Sequence, residues 1–342
     1  MRAVEYQGGR TVAVVDRVPE EPGPHDVRIA VSYVGLCGTD LHVYLGDADA
    51  RVGVPAVIGH EMSGHVESVG ADATDLAPGQ LVTVMPTRYC GHCPACERGH
   101  PNVCYDMDFI GMDSPGALQE LWTVPEHLVV PVEPSVGTRR AALLEPLTVA
   151  VHDVRRSGLG GGERVLVVGG GPIGLLIAMV AGVEGAEVLL SEPSVDRRAI
   201  AESLGIRTID AAGPDLGRGL DDFCGGAGFD VAFEVSGSSA GIASAVAALA
   251  AHGRVVQVAI HAQAREVDLH RFFWREIEMY GARLYHREDM DRAAELLARG
   301  VIPVGGLISG VVPMERTGEA LARLARGDAM KLLVDIDSGG TR

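Results

Sequence analysis

The chain has 342 residues, of which 47% are hydrophobic, and it carries a formal net charge of −17. That length can hold two domains, each with its own core. The acidic balance argues against nucleic acid and anionic membrane surfaces as partners, since binding their phosphates needs a basic surface. The sequence has no apolar run long enough to cross a bilayer, and it starts without the apolar stretch of a signal peptide. We therefore expect a globular protein of the cytoplasm.

The first part of the chain has the features of a small β-barrel. Residues 12–15 and 27–31 are rich in β-branched side chains and are separated by several prolines. Strand-like runs continue at residues 64–69 and 81–84. We expect strands and loops here rather than helices.

Four cysteines follow within fifteen residues, with the spacing C-x2-C-x2-C-x7-C: Cys90, Cys93, Cys96 and Cys104. Four thiolates this close together are typical of a closed tetrahedral zinc site. A disulfide framework is the alternative, but such frameworks belong to small secreted domains. The remaining downstream thiol, Cys224, is expected to be inert.

Near residue 138 the apolar residues take up helical spacing. An apolar strand of the buried parallel type follows at residues 165–168, and strand-like and helical runs alternate after it. This alternation predicts right-handed βαβ crossovers and a doubly wound parallel sheet. Two helical runs and a strand at residues 331–335 end the chain. A tail of this length could return to the first domain.

A glycine-rich turn follows the strand at residues 165–168. Its sequence, Gly-Gly-Gly-Pro-Ile-Gly, matches G-x-G-x-x-G and opens an apolar helix. The glycines permit a tight turn and let the backbone approach a pyrophosphate, which the free N–H groups at the helix start then bind. The predicted cofactor contacts are Gly169, Gly171, Pro172, Ile173 and Gly174.

The second strand of this fold is predicted to end at Glu192. A carboxylate at this position accepts hydrogen bonds from a ribose 2′-OH and repels a 2′-phosphate, which predicts NAD rather than NADP. Arg197 and Arg198 follow closely, and their charge would weaken that preference. Arg197 is also a predicted cofactor contact.

Four further side chains of the types that bind zinc are scattered along the chain: Cys37, His60, Glu61 and Glu145. Three protein ligands with one open position are the catalytic arrangement for this metal. Because these residues lie far apart, their types alone do not distinguish a metal site from ordinary polar loops.

Taken together, these features resemble the zinc-dependent medium-chain alcohol dehydrogenases, in the branch of the polyol, butanediol and threonine dehydrogenases. The resemblance runs nearly end to end. It is carried by C-G-T-D-L-H at residues 37–42, G-H-E-x2-G-x5-G at 59–70, the cysteine quartet, E-P-L at 145–147, the glycine turn and E-P-S at 192–194.

The resemblance implies an α/β chain in three parts. Residues 1–147 would form a GroES-like β-barrel catalytic domain with two zinc sites, and residues 148–283 a doubly wound Rossmann domain that binds NAD. Residues 284–342 would return to the catalytic domain. The resemblance also implies a homodimer or homotetramer.

By the same resemblance, Cys37 and His60 bind a catalytic zinc, together with Glu61, Glu145 or both. The cysteine quartet binds a structural zinc. The small-molecule substrate is then an alcohol or its ketone: zinc polarises the hydroxyl, and hydride passes to the nicotinamide of NAD.

The resemblance also assigns a path for the proton. Thr39 resembles the family's relay hydroxyl, and His42 resembles the outer base, reached through the cofactor ribose. A histidine has a pKa suited to that transfer. Asp40, which lies between them in sequence, is expected to be a structural hydrogen-bond acceptor.

The substrate is less well defined. Polyol-specific members of the family often have an Arg-Tyr pair where this chain has Leu284 and Tyr285. This departure points away from sorbitol-like substrates and leaves vicinal diols, hydroxy amino acids and sugar-type alcohols open. Tyr44, Phe109 and Tyr285 are candidate pocket aromatics.

Two hypotheses from other classes are a zinc-free quinone or enoyl reductase on the same fold and a non-catalytic scaffold. The first would not need the catalytic zinc ligands. The relay residues count against the second.

Overall fold

The computed structural model describes residues 1–261 and 263–337. The chain divides into two compact units. The first comprises Met1–Glu145, His286–Gly300 and Leu307–Arg342, and the second comprises Pro146–Tyr285 and Val301–Gly306. The domain boundaries at residues 147 and 283 stay predictions, and the last five residues of the predicted C-terminal segment lie outside the described part.

The strands are numbered in chain order. Ten precede the second unit: β1 Arg2–Gly8, β2 Thr11–Asp16, β3 Asp26–Gly35, β4 Ala56–Val57, β5 Glu61–Val69, β6 Leu81–Val84, β7 Thr87–Arg88, β8 Asp108–Phe109, β9 Leu121–Pro125 and β10 Val129–Pro131. Six belong to the second unit: β11 Arg164–Val168, β12 Glu187–Glu192, β13 Arg207–Asp210, β14 Phe229–Glu234, β15 Leu249–Gln257 and β16 Glu278–Gly281. Two follow it: β17 Ile308–Pro313 and β18 Lys331–Asp335.

The largest sheet of the first unit has the order β10-β6-β5-β3-β18-β17, with β9 also paired to β3. Strand β3 runs antiparallel to both β5 and β18, so a strand near the end of the chain lies beside one near its start. Strands β2-β1-β4 form a second sheet, and β7-β8 form a third. Apolar side chains of this unit share one core, in which Ile29, Met62 and Leu118 are fully buried.

The second unit holds a parallel sheet of order β13-β12-β11-β14-β15-β16. This is the doubly wound order, with the first strand at the centre and a reversal after the third. The central strand β11 is a continuous apolar run because its interior is buried on both faces. The predicted doubly wound fold is confirmed, but the two outermost strands, β13 and β16, were not predicted. Their more polar sequences reflect the greater exposure of sheet edges.

Twelve helices are found in residues 1–261 and 263–337. They are α1 Gly38–Leu45, α2 Asp49–Val52, α3 Pro94–Glu97, α4 Thr138–Ala141, α5 Leu144–Ser157, α6 Pro172–Val183, α7 Val195–Ser203, α8 Leu216–Cys224, α9 Ser239–Ala248, α10 Leu269–Arg275, α11 Arg287–Ala298 and α12 Thr317–Ala325. None of these is both long and apolar enough to span a bilayer.

Candidate metal centres and nucleotide turn

Three strand ends meet in the first unit. Strand β3 ends at Gly35, which pairs with Glu61 at the start of β5. Strand β18 begins at Lys331, and its Leu333 also pairs with Gly35. Because both neighbours run antiparallel to β3, residues just beyond Gly35 lie beside the first residues of β5 and β18. Cys37 is therefore brought next to both strand starts.

Three of the scattered zinc-ligand candidates come together at this point. One ligand atom each from Cys37, His60 and Glu61 lie within 4.8 Å of one another. His60 and Glu61 are buried, whereas Cys37 is half-buried. A zinc ion bound at about 2.0–2.3 Å brings its ligands within such a spacing of each other. The thiolate, imidazole and carboxylate therefore fit zinc both in chemistry and in spacing.

Glu145 lies near this set without completing it. It is the second residue of α5 and follows α4, which packs against β3 and β5. Its side chain is buried, and its charge acts on both His60 and Lys331. It is not among the ligand atoms that lie within 4.8 Å of one another. The structure thus assembles three of the four predicted ligands and places the second carboxylate in their vicinity.

Asp40 lies beside two of the assembled residues. Its Oδ2 accepts the backbone N–H of Cys37 at 2.8 Å, and its Oδ1 lies 3.7 Å from Nδ1 of His60. Burial opposes a charged imidazole, but the charge of Asp40 and a hydrogen bond to Cys37 outweigh burial and raise the pKa of His60 to about 10.

Lys331 also lies in this region, although none of the metal-binding motifs in the sequence includes it. It is the only lysine of the chain, and it is 3% exposed. Its Nζ donates to both carboxylate oxygens of Glu61, at 2.8 and 2.7 Å, and to the carbonyl of Leu36 at 3.1 Å. Burial disfavours the ammonium ion, yet the charges of Glu61 and Cys37 raise the pKa of Lys331 above its ordinary value. The one feature of the sequence that marked Lys331 is that every other residue of the Lys and Arg types in the chain is arginine.

The predicted relay residues both lie on α1. Thr39 Oγ1 is 3.8 Å from Cys37 Sγ, so the hydroxyl lies beside the assembled ligands. His42 is largely exposed, and its Nδ1 lies 3.1 Å from Oδ2 of Asp47. The two residues therefore occupy an inner and an outer position on the same short helix.

One predicted pocket aromatic lies at the ligand set. The ring of Phe109 lies 4.9 Å from that of His60, measured between centroids. Tyr44 belongs to the core of the first unit, and Tyr285 is buried at the end of the second. Phe109 is therefore in ring contact with a candidate ligand.

The cysteine quartet forms the second metal-binding group. Three of its Sγ–Sγ distances are 3.5, 3.5 and 3.8 Å, close to the edge of about 3.8 Å expected for four sulfurs around zinc. Backbone N–H groups point at the sulfurs, and the one from Tyr105 is the main reason that the pKa of Cys93 falls to about 6. All six cysteines of the chain are free thiols in the structure.

In the second unit, the glycine turn between β11 and α6 has the shape that the motif requires. Gly169 has a φ of 109°, in the left-handed region. A Cβ on Gly174 would lie 1.9 Å from the carbonyl oxygen of Gly169. Gly171 caps α6 and Pro172 opens it. The first N–H groups of the helix, including that of Ile173, have no partner within the helix and are suited to bind a pyrophosphate.

Glu192 ends the neighbouring strand β12 and holds this turn. Its Oε2 accepts the N–H of Gly170 at 2.6 Å, and its Oε1 accepts a second backbone N–H at 2.8 Å. Arg198 is tied to the backbone carbonyl of Glu192 at 2.8 Å. The half-buried Arg197, by contrast, has a side chain without hydrogen bond or ion pair in the part of the chain that the structure describes.

A second strand-end carboxylate was missed by the sequence analysis. Glu234 ends β14, is fully buried, and accepts the N–H groups of Ser236 and Gly237 at 2.9 and 3.0 Å. A Cβ on Gly169 would lie 2.9 Å from the nitrogen of Ser236, so the loops after β11 and β14 lie against each other. Ligands of doubly wound sheets bind at this carboxyl edge. An acidic strand end followed by Val-Ser-Gly-Ser was the available signal in the sequence.

Comparisons with known proteins agree with both halves of this description. Residues 23–134 match the family described as alcohol dehydrogenase GroES-like domain, and residues 172–299 match zinc-binding dehydrogenase. The chain is 43% identical over 339 residues to the 2-dehydro-3-deoxy-L-galactonate 5-dehydrogenase of Pseudoalteromonas atlantica, covering 99% of each chain. It is 33% identical to an L-threonine 3-dehydrogenase of Chelativorans sp., covering 94% of each. The NADP-bound structure of a Sinorhizobium meliloti 1021 protein described as a zinc-binding dehydrogenase superposes with a TM-score of 0.90, at 29% identity and 98% coverage of both.

Proposed function

Because the chain belongs to the zinc-dependent medium-chain alcohol dehydrogenases, we propose that it oxidises a secondary hydroxyl of a sugar acid to the ketone, with NAD as hydride acceptor. Its class is that of a zinc-binding, nicotinamide-linked dehydrogenase of secondary alcohols. Membership of this class argues against the two other hypotheses, a zinc-free reductase and a non-catalytic scaffold.

The sugar-acid substrate rests on one observation, the 43% identity to the 2-dehydro-3-deoxy-L-galactonate 5-dehydrogenase over 99% of both chains. The substrate proposed for this chain is the same keto-deoxy sugar acid, oxidised at C5. L-Threonine is the second candidate, supported by a relative at 33% identity. Leu284, at the position where polyol-specific members carry arginine, disfavours sorbitol-like substrates.

The assembled residues have distinct proposed roles at the metal. Cys37 and His60 hold the catalytic zinc with a carboxylate from Glu61 or Glu145, and the cysteine quartet holds a structural zinc. A zinc ion there supplies Lewis-acid polarisation of the substrate oxygen. His60 binds in its neutral form, and the carboxylate of Asp40 lies 3.7 Å from its Nδ1, where it places a negative charge beside the ring.

The remaining residues handle the proton and the cofactor. Thr39, beside Cys37, accepts the hydroxyl proton and passes it outward, and the exposed His42 delivers it to solvent. The glycine turn binds the pyrophosphate, and Glu192 and Arg197 face the adenosine ribose. Buried Glu192 favours NAD in this chain, whereas the related Sinorhizobium meliloti 1021 structure holds NADP.

The test is a screen of NAD and NADP reduction with 2-dehydro-3-deoxy-L-galactonate, L-threonine and sorbitol, combined with a zinc assay. We expect the highest kcat/KM with the sugar acid and NAD, and two zinc ions per chain. Highest kcat/KM with L-threonine would replace the substrate proposal by the second candidate. Fewer than two zinc ions would remove one of the two proposed metal sites.

We also propose that the chain forms a homo-oligomer through the edge of its parallel sheet. Strand β16 is the last strand of that sheet, and Met279 on it is 45% exposed. Helix α10 exposes Leu269, Phe273 and Trp274, each by about two thirds or more of its surface. Exposed edge strands and apolar side chains are typical of surfaces that a partner covers.

Light scattering on the wild type and on Trp274→Glu tests this assembly. We expect a dimer or tetramer for the wild type and dissociation in the variant. A monomeric wild type at micromolar concentration would contradict it.

The free thiols support the proposed cytoplasmic location, since reduced cysteines suit a reducing compartment.

A further inference from the structure

Lys331 and Glu61 are built as a matched pair. The ammonium group reaches both carboxylate oxygens and a backbone carbonyl, which uses its three N–H donors. Gly35 leaves the space for this arrangement, because a Cβ there would lie 2.4 Å from Oε2 of Glu61. The two side chains are 3% and 1% exposed, so water does not screen them. Neither can turn away without leaving a buried charge without its partner.

The pair adjoins the candidate catalytic ligands. Glu61 offers a carboxylate oxygen within 4.8 Å of the ligand atoms of Cys37 and His60, while both of its oxygens accept from Lys331. A carboxylate has about four lone-pair sites, so an oxygen bound to an ammonium group can still face a metal ion. The oxygen is then a weaker electron-pair donor to the metal ion, because the ammonium group withdraws negative charge from the carboxylate. The hydrogen bonds to Lys331 also fix the orientation of that oxygen.

The positive charge of Lys331 offsets part of the negative charge around the candidate ligands, and this affects how a substrate oxygen can reach the metal. Asp40 and Glu145 are also buried close to the ligands. Without Lys331, a divalent ion would face the thiolate of Cys37 and three carboxylates. A fully charged, unrestrained Glu61 would then compete for the coordination position that a substrate oxygen must take.

We propose that Lys331 is a positioning residue for the catalytic metal: it restrains Glu61 and weakens it as a ligand, so that one coordination position stays exchangeable for the substrate. This inference rests on the proposed zinc site of Cys37, His60 and Glu61. The inference concerns which protein ligand leaves a coordination position open to the substrate. It does not concern whether the site binds metal.

A double-mutant cycle on the full chain tests the inference, using Lys331→Met, Glu61→Gln and the combined variant, each loaded with Zn²⁺ or with Co²⁺ at the catalytic site. With Glu61 in place, Lys331→Met should raise the affinity for zinc about tenfold or more, measured by chelator competition. It should also change the visible absorption of bound Co²⁺ and raise KM more than it lowers kcat.

When Lys331→Met is added to Glu61→Gln, it should leave the Co²⁺ spectrum and the zinc affinity unchanged. Lys331→Arg, which keeps two donors for a carboxylate, should restore the wild-type spectrum.

The outcomes separate this inference from the proposed function. A wild type with two metal ions whose spectrum and affinity do not respond to Lys331→Met, while only thermal stability falls, would make the pair structural and overturn the inference. Equal responses to Lys331→Met with and without Glu61→Gln would overturn it too, since Lys331 would then not act through Glu61. If Lys331→Met does not fold, Lys331→Gln, which keeps a neutral N–H donor group, takes its place and should shift the same quantities by a smaller factor. A wild type without metal at Cys37 would instead refute the proposed function.

Discussion

The two metal-binding groups of the first unit are built in opposite ways. The cysteine quartet takes all its ligands from residues 90–104, and nearby backbone N–H groups point at its sulfurs. The other group takes Cys37 from one segment and the consecutive residues His60 and Glu61 from another, joined by the register of β3 with β5. Its ionic partner, Lys331, comes from the last strand. A local loop can form a closed metal site by itself, whereas an open site with a buried charge pair needs the whole sheet.

The largest effect that this comparison predicts is on turnover in Cys37→Ser. Loss of the thiolate should remove one zinc per chain and lower kcat by about a thousandfold or more, since Lewis-acid polarisation is worth several kcal/mol. The sheet that positions the site does not depend on the thiol, so the melting temperature should change little. Metal analysis, initial rates and calorimetry measure the three quantities.

Cys224→Ser is the matched control for this substitution, because Cys224 is a buried free thiol of the second unit. It should keep two zinc ions and wild-type turnover. Substantial activity in Cys37→Ser would remove the metal at Cys37 from the reaction.

The second prediction concerns Cys93→Ser in the quartet. This variant should also lose one zinc, but its main defect should be a lower melting temperature, by about 5 °C or more, because metal binding at a closed site stabilises the folded loop. The protein that remains folded should turn over at close to the wild-type rate. A stable but inactive Cys93→Ser protein would mean that the roles of the two groups have been exchanged.

The same contrast explains what the sequence could and could not predict. The quartet, the glycine turn and Glu192 were accessible because their spacing and flanking residues are local. The pairing of Lys331 with Glu61 spans 270 residues and exists only through the register of β18 with β3. The incomplete approach of Glu145 to the ligand set was also beyond the sequence, since motifs specify residue types but not distances. The edge strands β13 and β16 were missed because their partly exposed positions carry polar residues.

A smaller effect is expected from Asp40→Asn, which changes the support of the open site but not its ligands. Asp40 accepts from the backbone of Cys37 and lies beside Nδ1 of His60. Loss of such a carboxylate typically weakens metal binding by about 10–100-fold. Chelator competition measures the affinity, and the quartet should keep its own zinc.

Asp289→Asn provides the control for Asp40→Asn. Asp289 is also buried and accepts the backbone N–H of its own helix N-cap, His286, at 2.8 Å, the arrangement that Asp40 has on α1. Both substitutions remove a negative charge from the first turn of a helix, which should cost about 0.3–1 kcal/mol, but only Asp40→Asn should weaken metal binding. Equal zinc affinities in the two variants would reduce Asp40 to a helix cap.

The smallest effect is expected on the cofactor preference in the second unit. Glu192 belongs to a local motif and also makes a hydrogen bond to a residue distant in sequence. It holds the glycine turn through Gly170, 22 residues away, and it is proposed to face the ribose. Glu192→Gln keeps an acceptor for the N–H of Gly170 but removes the charge that repels a 2′-phosphate. The ratio of kcat/KM for NAD to that for NADP should therefore fall about tenfold, or about 1.4 kcal/mol. Glu234→Gln, at the end of β14 on the other side of β11, removes a similarly buried carboxylate charge and should lower thermal stability while leaving the ratio unchanged. If Glu192→Gln loses stability as Glu234→Gln does and also keeps the wild-type ratio, then Glu192 serves only the turn, and the selectivity between the two cofactors must come from Arg197 or another residue of this edge.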